Sequence, residues 1–237
     1  MLARFLIALC AANVLVSPAF AAAPRPVVVE LFTSQGCSSC PPADLFLSDL
    51  SNTRPDVLPL AFHVTYWNQL GWKDPFSFGD ADARQARYAQ HFRDFEYTPE
   101  MVIDGKVEVV GSNRVAASSA IDQATRNVES AAAVNAKRAG GRVSVTIGAG
   151  NGRARVVLVG YDTRRVTPVG RGENAGRTLT ESNIVREFTS IGQWTGAAQT
   201  LNATSVAGEH LAVLLEASDG AIVGATRVAD VPDAPSR

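Results

Sequence analysis

Gly36-Cys37-Ser38-Ser39-Cys40-Pro41-Pro42 stands one residue, Gln35, after an apolar run, Pro26-Val27-Val28-Val29-Glu30-Leu31-Phe32-Thr33-Ser34. Two cysteines three residues apart suit a redox couple, half of a metal site or a very short structural staple. The surroundings decide among these. Val27 to Phe32 is β-branched and apolar and is bounded by Pro26 and the polar Thr33-Ser34-Gln35-Gly36, which reads as a buried strand. Beyond the prolines, Phe46, Leu47 and Leu50 recur at helical spacing. The cysteines therefore stand at a strand-to-helix junction. Pro41 and Pro42 lack N–H donors and are tolerated only in the first helical turn.

Outward from this point, Val57 to Val64 reads as a second strand and Asp82 to Phe92 as a polar, Arg-rich helix. Tyr97-Thr98-Pro99 leads into Met101-Val102-Ile103, and Asp104-Gly105 turns the chain into Val107 to Val110 as a hairpin. Val115 to Arg138 is Ala-rich, with Ile121 and Val128 on one face, and reads as a long helix. The pattern changes at Ala139-Gly140-Gly141. Short β-like runs follow over Val143 to Ile147, Ala154 to Tyr161, Ile184 to Thr189, Leu211 to Ala217 and Ala221 to Thr226. The expected fold is an α/β thioredoxin-like domain over 22–139, then a smaller all-β, sandwich-like domain over 140–230 and a loose tail over 231–237.

The N-terminus sets the compartment. Met1 to Arg4 is short and basic, Phe5 to Val16 is apolar but too short to span a bilayer, and Ala19-Phe20-Ala21 fits small-x-small cleavage. Residues 1–21 read as a signal peptide, and the mature chain as periplasmic or secreted in a bacterium, without a membrane anchor. Cys10 falls within the signal, which leaves Cys37 and Cys40. Without Arg4 the formal charge is about −2, which offers no electrostatic footprint for nucleic acid.

Strand, CxxC, helix, strand, helix, Thr-Pro, hairpin is the minimal thioredoxin order. A cysteine at a helix N-terminus meets free N–H groups and the positive end of the helix dipole, which lower its pKa below roughly 8.5. Cys37 is the expected nucleophile and Cys40 the resolving thiol, a redox-active disulfide needing no other cofactor. Thr98-Pro99 is expected to be cis and to shape a partner groove opposite the cysteines, with His63, Tyr66 and Trp67 as candidate lining. These aromatics could equally pack a loop onto the sheet. Glu30, a carboxylate within a buried strand, is either the proton shuttle for the resolving thiol or a structural acid. Its spacing to Cys37 is seven residues, where a thioredoxin-like alignment wants six.

A disulfide closing so small a loop removes little chain entropy, which weakens the staple. Zinc lacks two further ligands at matching spacing. Copper(I) on Cys37, Cys40, His63 and Met101 stays open as a second reading, that of a periplasmic copper-binding protein or chaperone. The first reading is a thiol-disulfide oxidoreductase whose partners are exported protein or small thiols and disulfides and an electron donor. Ser38 and Ser39 supply hydroxyls without charge, so an intermediate couple is expected, on the order of −200 mV.

VVVELFTSQGCSSCPPAD, LAFHVTYWNQLGWKDPF, YTPEMVIDG and RGENAGRTL together resemble the secreted bacterial thioredoxin-like family known as domain of unknown function 1223. The resemblance implies a thioredoxin-like domain bearing Cys37, Cys40 and Pro99, then a β-rich domain. Where the family reads HVDYWD, this chain has Thr65 and Asn68. Arg171-Gly172-Glu173-Asn174-Ala175-Gly176-Arg177 is either a loop reaching the cysteines or a turn-rich connection between strands, and the second is preferred.

Overall fold

The computed structural model describes residues 25–231, so the expected signal peptide over 1–21 and nearly all of the expected tail lie outside the described residues. Strand β1 (Val27–Thr33) is followed by α1 (Pro41–Thr53), β2 (Val57–His63), a 3-10 turn (Asn68–Leu70), α2 (Gly79–Phe92), β3 (Glu100–Ile103), β4 (Val107–Val110) and α3 (Arg114–Arg126). Only strands come after this point. They are β5 (Val134–Ala139), β6 (Arg142–Ile147), β7 (Ala154–Pro168), β8 (Thr178–Trp194), β9 (Gln199–Thr204), β10 (His210–Glu216), β11 (Ile222–Arg227) and β12 (Ala229–Asp230). The protein is thus a mixed α/β fold of two sheets and three described α-helices. No described helix is long and apolar enough to cross a membrane.

The larger sheet has eight strands in the order β11-β10-β7-β8-β2-β1-β3-β4. β1 lies at its heart, parallel to β2 and antiparallel to β3. All its residues are buried, as a strand covered on both faces requires. Alternation sorts the side chains: Val27, Val29 and Leu31 pack with Phe46, Leu47 and Leu50 of α1 and Ile121 of α3. Val28 and Phe32 pack on the other face with Tyr88 of α2. The smaller sheet runs β12-β5-β6-β9.

Two expectations need correction. The helix expected over Val115 to Arg138 ends at Arg126, and Val134–Ala139 forms β5, paired along its length with β6. Helix propensity, even that of alanine, is a small term per residue, and a full ladder of cross-strand bonds outweighs it. The boundary expected after Ala139 falls on the Gly140-Gly141 turn of the β5–β6 hairpin, where both residues have positive φ (53° and 76°). Strands from both sides of that point share the larger sheet, joined where Ala61 of β2 meets Ile184 of β8. The apolar core is shared too, since Val157, Val185 and Leu214 belong to the cluster containing Val28 and Phe32.

Candidate functional site

Cys37 and Cys40 are joined in a disulfide, with Cα atoms 5.4 Å apart. Cys40, rather than Cys37, is the N-cap of α1, because Pro41 and Pro42 occupy the first helical positions. Cys37 sits in the turn before it, and Cys40 N–H donates to Cys37 O at 3.2 Å. Ala43 and Asp44 donate their N–H groups to Cys40 O at 2.8 and 3.1 Å. Both cysteines are 0% exposed, while Ser38 and Ser39 face solvent.

The Thr98-Pro99 bond is cis. Pro99 O accepts from Gly111 N at 2.8 Å, and a Cβ placed on Gly111 would touch both Ala43 Cβ and Pro99 Cβ, so Pro99 flanks the first turn of α1. Trp67 Nε1 donates to Thr98 Oγ1 at 2.9 Å. Its Cβ packs so closely on Gly36 that an added Cβ there would lie 3.0 Å away. Trp67 thereby bridges the cysteine turn and the proline. Tyr66 is directed elsewhere, donating its hydroxyl to Gln85 Oε1 at 3.3 Å on α2, and burial raises its pKa.

Glu30 does not reach the cysteines. Its carboxylate is fully buried on the α2 face of the sheet, held by Arg84 through Nε and Nη2 and by the Tyr88 hydroxyl at 2.9 Å. The reason is parity. Moving one residue along a strand changes the face, so a spacing of seven where six is wanted puts the acid on the wrong side.

The acid beside the couple is Asp44, one helical turn after Cys40 and on the same helix face. It accepts the Thr33 hydroxyl at 2.8 Å. Burial first, and the Glu181 charge next, raise its pKa to about 7, against the opposing pull of His63 and Thr33. Next to it lies a cluster no local pattern announced. His63 is buried, with Nδ1 at 2.7 Å from Asp74 Oδ2. Burial alone would lower its pKa, but the Asp74 and Glu181 carboxylates outweigh it and raise it to about 9. Asp74 also accepts Gln35 N–H at 2.9 Å, and Gln35 Nε2 donates to Glu181 Oε2 at 2.7 Å. Burial raises the pKa of Glu181. His63 Nε2 and Glu181 Oε1, 4.0 Å apart, are both buried and have no hydrogen-bond partner among the described residues. The aromatic segment after β2 thus contributes differently residue by residue: His63 to this cluster, Trp67 to the proline side.

The loop Arg171-Arg177 reaches the site, against the preferred reading from sequence. Asn174, fully buried, donates through Nδ2 to Gln35 O at 3.0 Å and Cys37 O at 2.9 Å. Glu173 Oε2 accepts Ser38 N–H at 3.1 Å, which holds that carboxyl below the usual range. The copper(I) set is not assembled: the sulfurs are joined, His63 is turned to Asp74, and Met101 packs in the apolar cluster with Leu31 and Ala43. Among the described residues no group of three or more His, Cys, Asp and Glu side chains is arranged to hold a metal.

Among solved structures, protein AGR_C_4864 from Agrobacterium tumefaciens is 32% identical, with a TM-score of 0.75 over 87% of this chain and 95% of its own. HBP35 of Porphyromonas gingivalis is 13% identical, with a TM-score of 0.58 over 90% of this chain and 78% of its own, a likeness of fold alone. No curated protein matches the chain. The model of a family described as protein of unknown function (DUF1223) matches residues 28–216, which contain the disulfide, the buried acids and the loop that meets them, and the chain belongs to that family.

Proposed function

We propose that the protein is an exported thiol-disulfide oxidoreductase built on a thioredoxin-like arrangement of β1 to β4 and α1 to α3. The observation that carries this reading is a buried acid of raised pKa, Asp44, one helical turn after Cys40 on the same face of α1. A structural staple has no use for one, and burying a carboxylate is unfavourable. Asp44, with a pKa near the working pH, can give and take a proton where the thiol chemistry needs it.

In the reducing direction the Cys37 thiolate attacks a partner disulfide, forming a mixed disulfide and releasing one partner thiolate. The Cys40 thiol gives its proton to the Asp44 carboxylate and attacks Cys37 Sγ. That step re-forms the Cys37–Cys40 bond and expels the partner's second sulfur, with two electrons passed to the partner. A dithiol donor then restores the pair. Thr98, Pro99 and Trp67 shape the approach on one side, and partners are exported proteins or small molecules carrying thiols or disulfides.

The test is insulin reduction with dithiothreitol, run for the wild type and Cys37→Ser, beside a copper(I) competition titration. Catalysis by the wild type alone is the expected result. Tight copper(I) binding without catalysis would overturn the proposal.

A further inference from the structure

The buried disulfide poses a problem of access: neither Cys37 nor Cys40 exposes any surface, so a partner sulfur cannot reach the pair until something moves. The loop Arg171-Arg177, between β7 and β8, is fastened around the nucleophile from both sides. Asn174 holds the carbonyls of Gln35 and Cys37, and Glu173 holds the N–H of Ser38. The loop's backbone hydrogen bonds otherwise stay within its own hairpin, from Val169 N–H to Arg177 O, Gly176 N–H to Val169 O, Ala175 N–H to Gly172 O and Arg177 N–H to Asn174 O. Its other residues are exposed or half-buried, and its turns rest on Gly172 and Gly176 at positive φ (75° and 78°). Segments with few buried contacts open most readily.

Glu173 places a negative charge on the residue next to Cys37. Beside a disulfide that charge is unopposed. Reduction and ionisation of Cys37 put a thiolate on the residue next to the N–H that Glu173 holds, and the two like charges repel. We infer that the Arg171-Arg177 loop is a redox-linked lid, with Glu173 as its positioning residue, shut over the oxidised pair and released when Cys37 becomes a thiolate. The inference rests on the reading of the pair as redox-active, and it adds regulation to that site.

The full chain is reduced with dithiothreitol, whose thiolate opens the disulfide through a mixed disulfide and whose second thiol closes the reagent's ring, leaving thiols at Cys37 and Cys40. Limited trypsin digestion then compares the oxidised and reduced forms. Cleavage after Arg171 and Arg177 is expected to be several-fold faster in the reduced form, while the rest of the chain is cut equally slowly in both. Glu173→Gln, an exposed and near-isosteric change that keeps an acceptor for Ser38 N–H and removes the charge, is expected to abolish the difference in loop cleavage between the two forms. Equal loop cleavage in both forms of the wild type, faster cleavage spread along the whole chain, or a full redox difference kept in Glu173→Gln would each overturn the lid. Redox-dependent cleavage in a protein that turns over no insulin would leave the lid standing and overturn the oxidoreductase.

Discussion

Thr33, the last residue of β1, donates its hydroxyl to Asp44 in the first turn of α1, tying the strand that precedes the cysteines to the helix that follows them. The pairing fixes the only acid one turn behind Cys40. Asp44→Asn keeps that hydrogen bond and removes the titration. Insulin reduction per folded protein is expected to fall about 10- to 100-fold, with the pH dependence near 7 flattened. An unchanged pH–rate profile would remove Asp44 from the chemistry.

Stability should respond to pH through the same groups. Asp44 has its pKa raised from 3.8 to about 7, and His63 from 6.5 to about 9. A raised pKa means that the folded state binds more protons, so each contribution is fully present below the unfolded value and lost as pH rises through the folded one. Stability of the oxidised protein is expected to decline from about pH 4 to about pH 9, by a few kcal/mol. Urea midpoints across that range measure it, and a rise would contradict the sign. Asp44→Asn should lose its own share of the decline below pH 7 and keep that of Glu100, whose pKa burial raises to about 7.

Glu30→Gln separates structure from chemistry. The carboxylate neutralises the buried Arg84, which would be left with Glu216 as its remaining acidic partner. Removing one member of such a pair costs about 3–5 kcal/mol. Chemical denaturation should show that loss, while the insulin rate per folded molecule stays within about twofold of wild type.

Cys40→Ser should accumulate mixed disulfides with exported partners, since Cys37 can attack and nothing resolves the adduct. Cys37→Ser should not. Mass spectrometry of the purified variants decides the order of the two thiols.

Gly36→Ala tests the packing between the cysteine turn and Trp67. Its Cβ would sit 3.0 Å from Trp67 Cβ, so the indole must shift away from Thr98. The expected result is a loss of about 1–3 kcal/mol and a change in Trp fluorescence.

The legible parts of the fold were those fixed by neighbours in sequence. β1, α1, β2, α2, the Asp104-Gly105 hairpin and the runs that became β6, β7, β8, β10 and β11 each carry their own periodicity or punctuation. β5 does not, because Val134-Asn135-Ala136-Lys137-Arg138-Ala139 becomes a strand only by pairing with β6 and β12. The cysteines and the cis proline were equally plain, since a motif announces them. Asp44 carries no signal of its own among helix residues, and only the parity of the seven-residue spacing to Cys37 speaks against Glu30. Glu181, Glu173 and Asn174 lie more than 130 residues from the groups they touch, beyond any local pattern.

That distance also has a direction in time. A chain leaving the ribosome or a translocation channel N-terminus first brings out Cys37, with Cys40 just behind it, 137 residues ahead of the asparagine that binds Cys37 O. For that interval the thiols are open to any oxidant nearby, and β2 has no β8 beside it. The bond that is inaccessible in the finished molecule can therefore be made while the molecule is still half delivered, and the last third of the chain seals it.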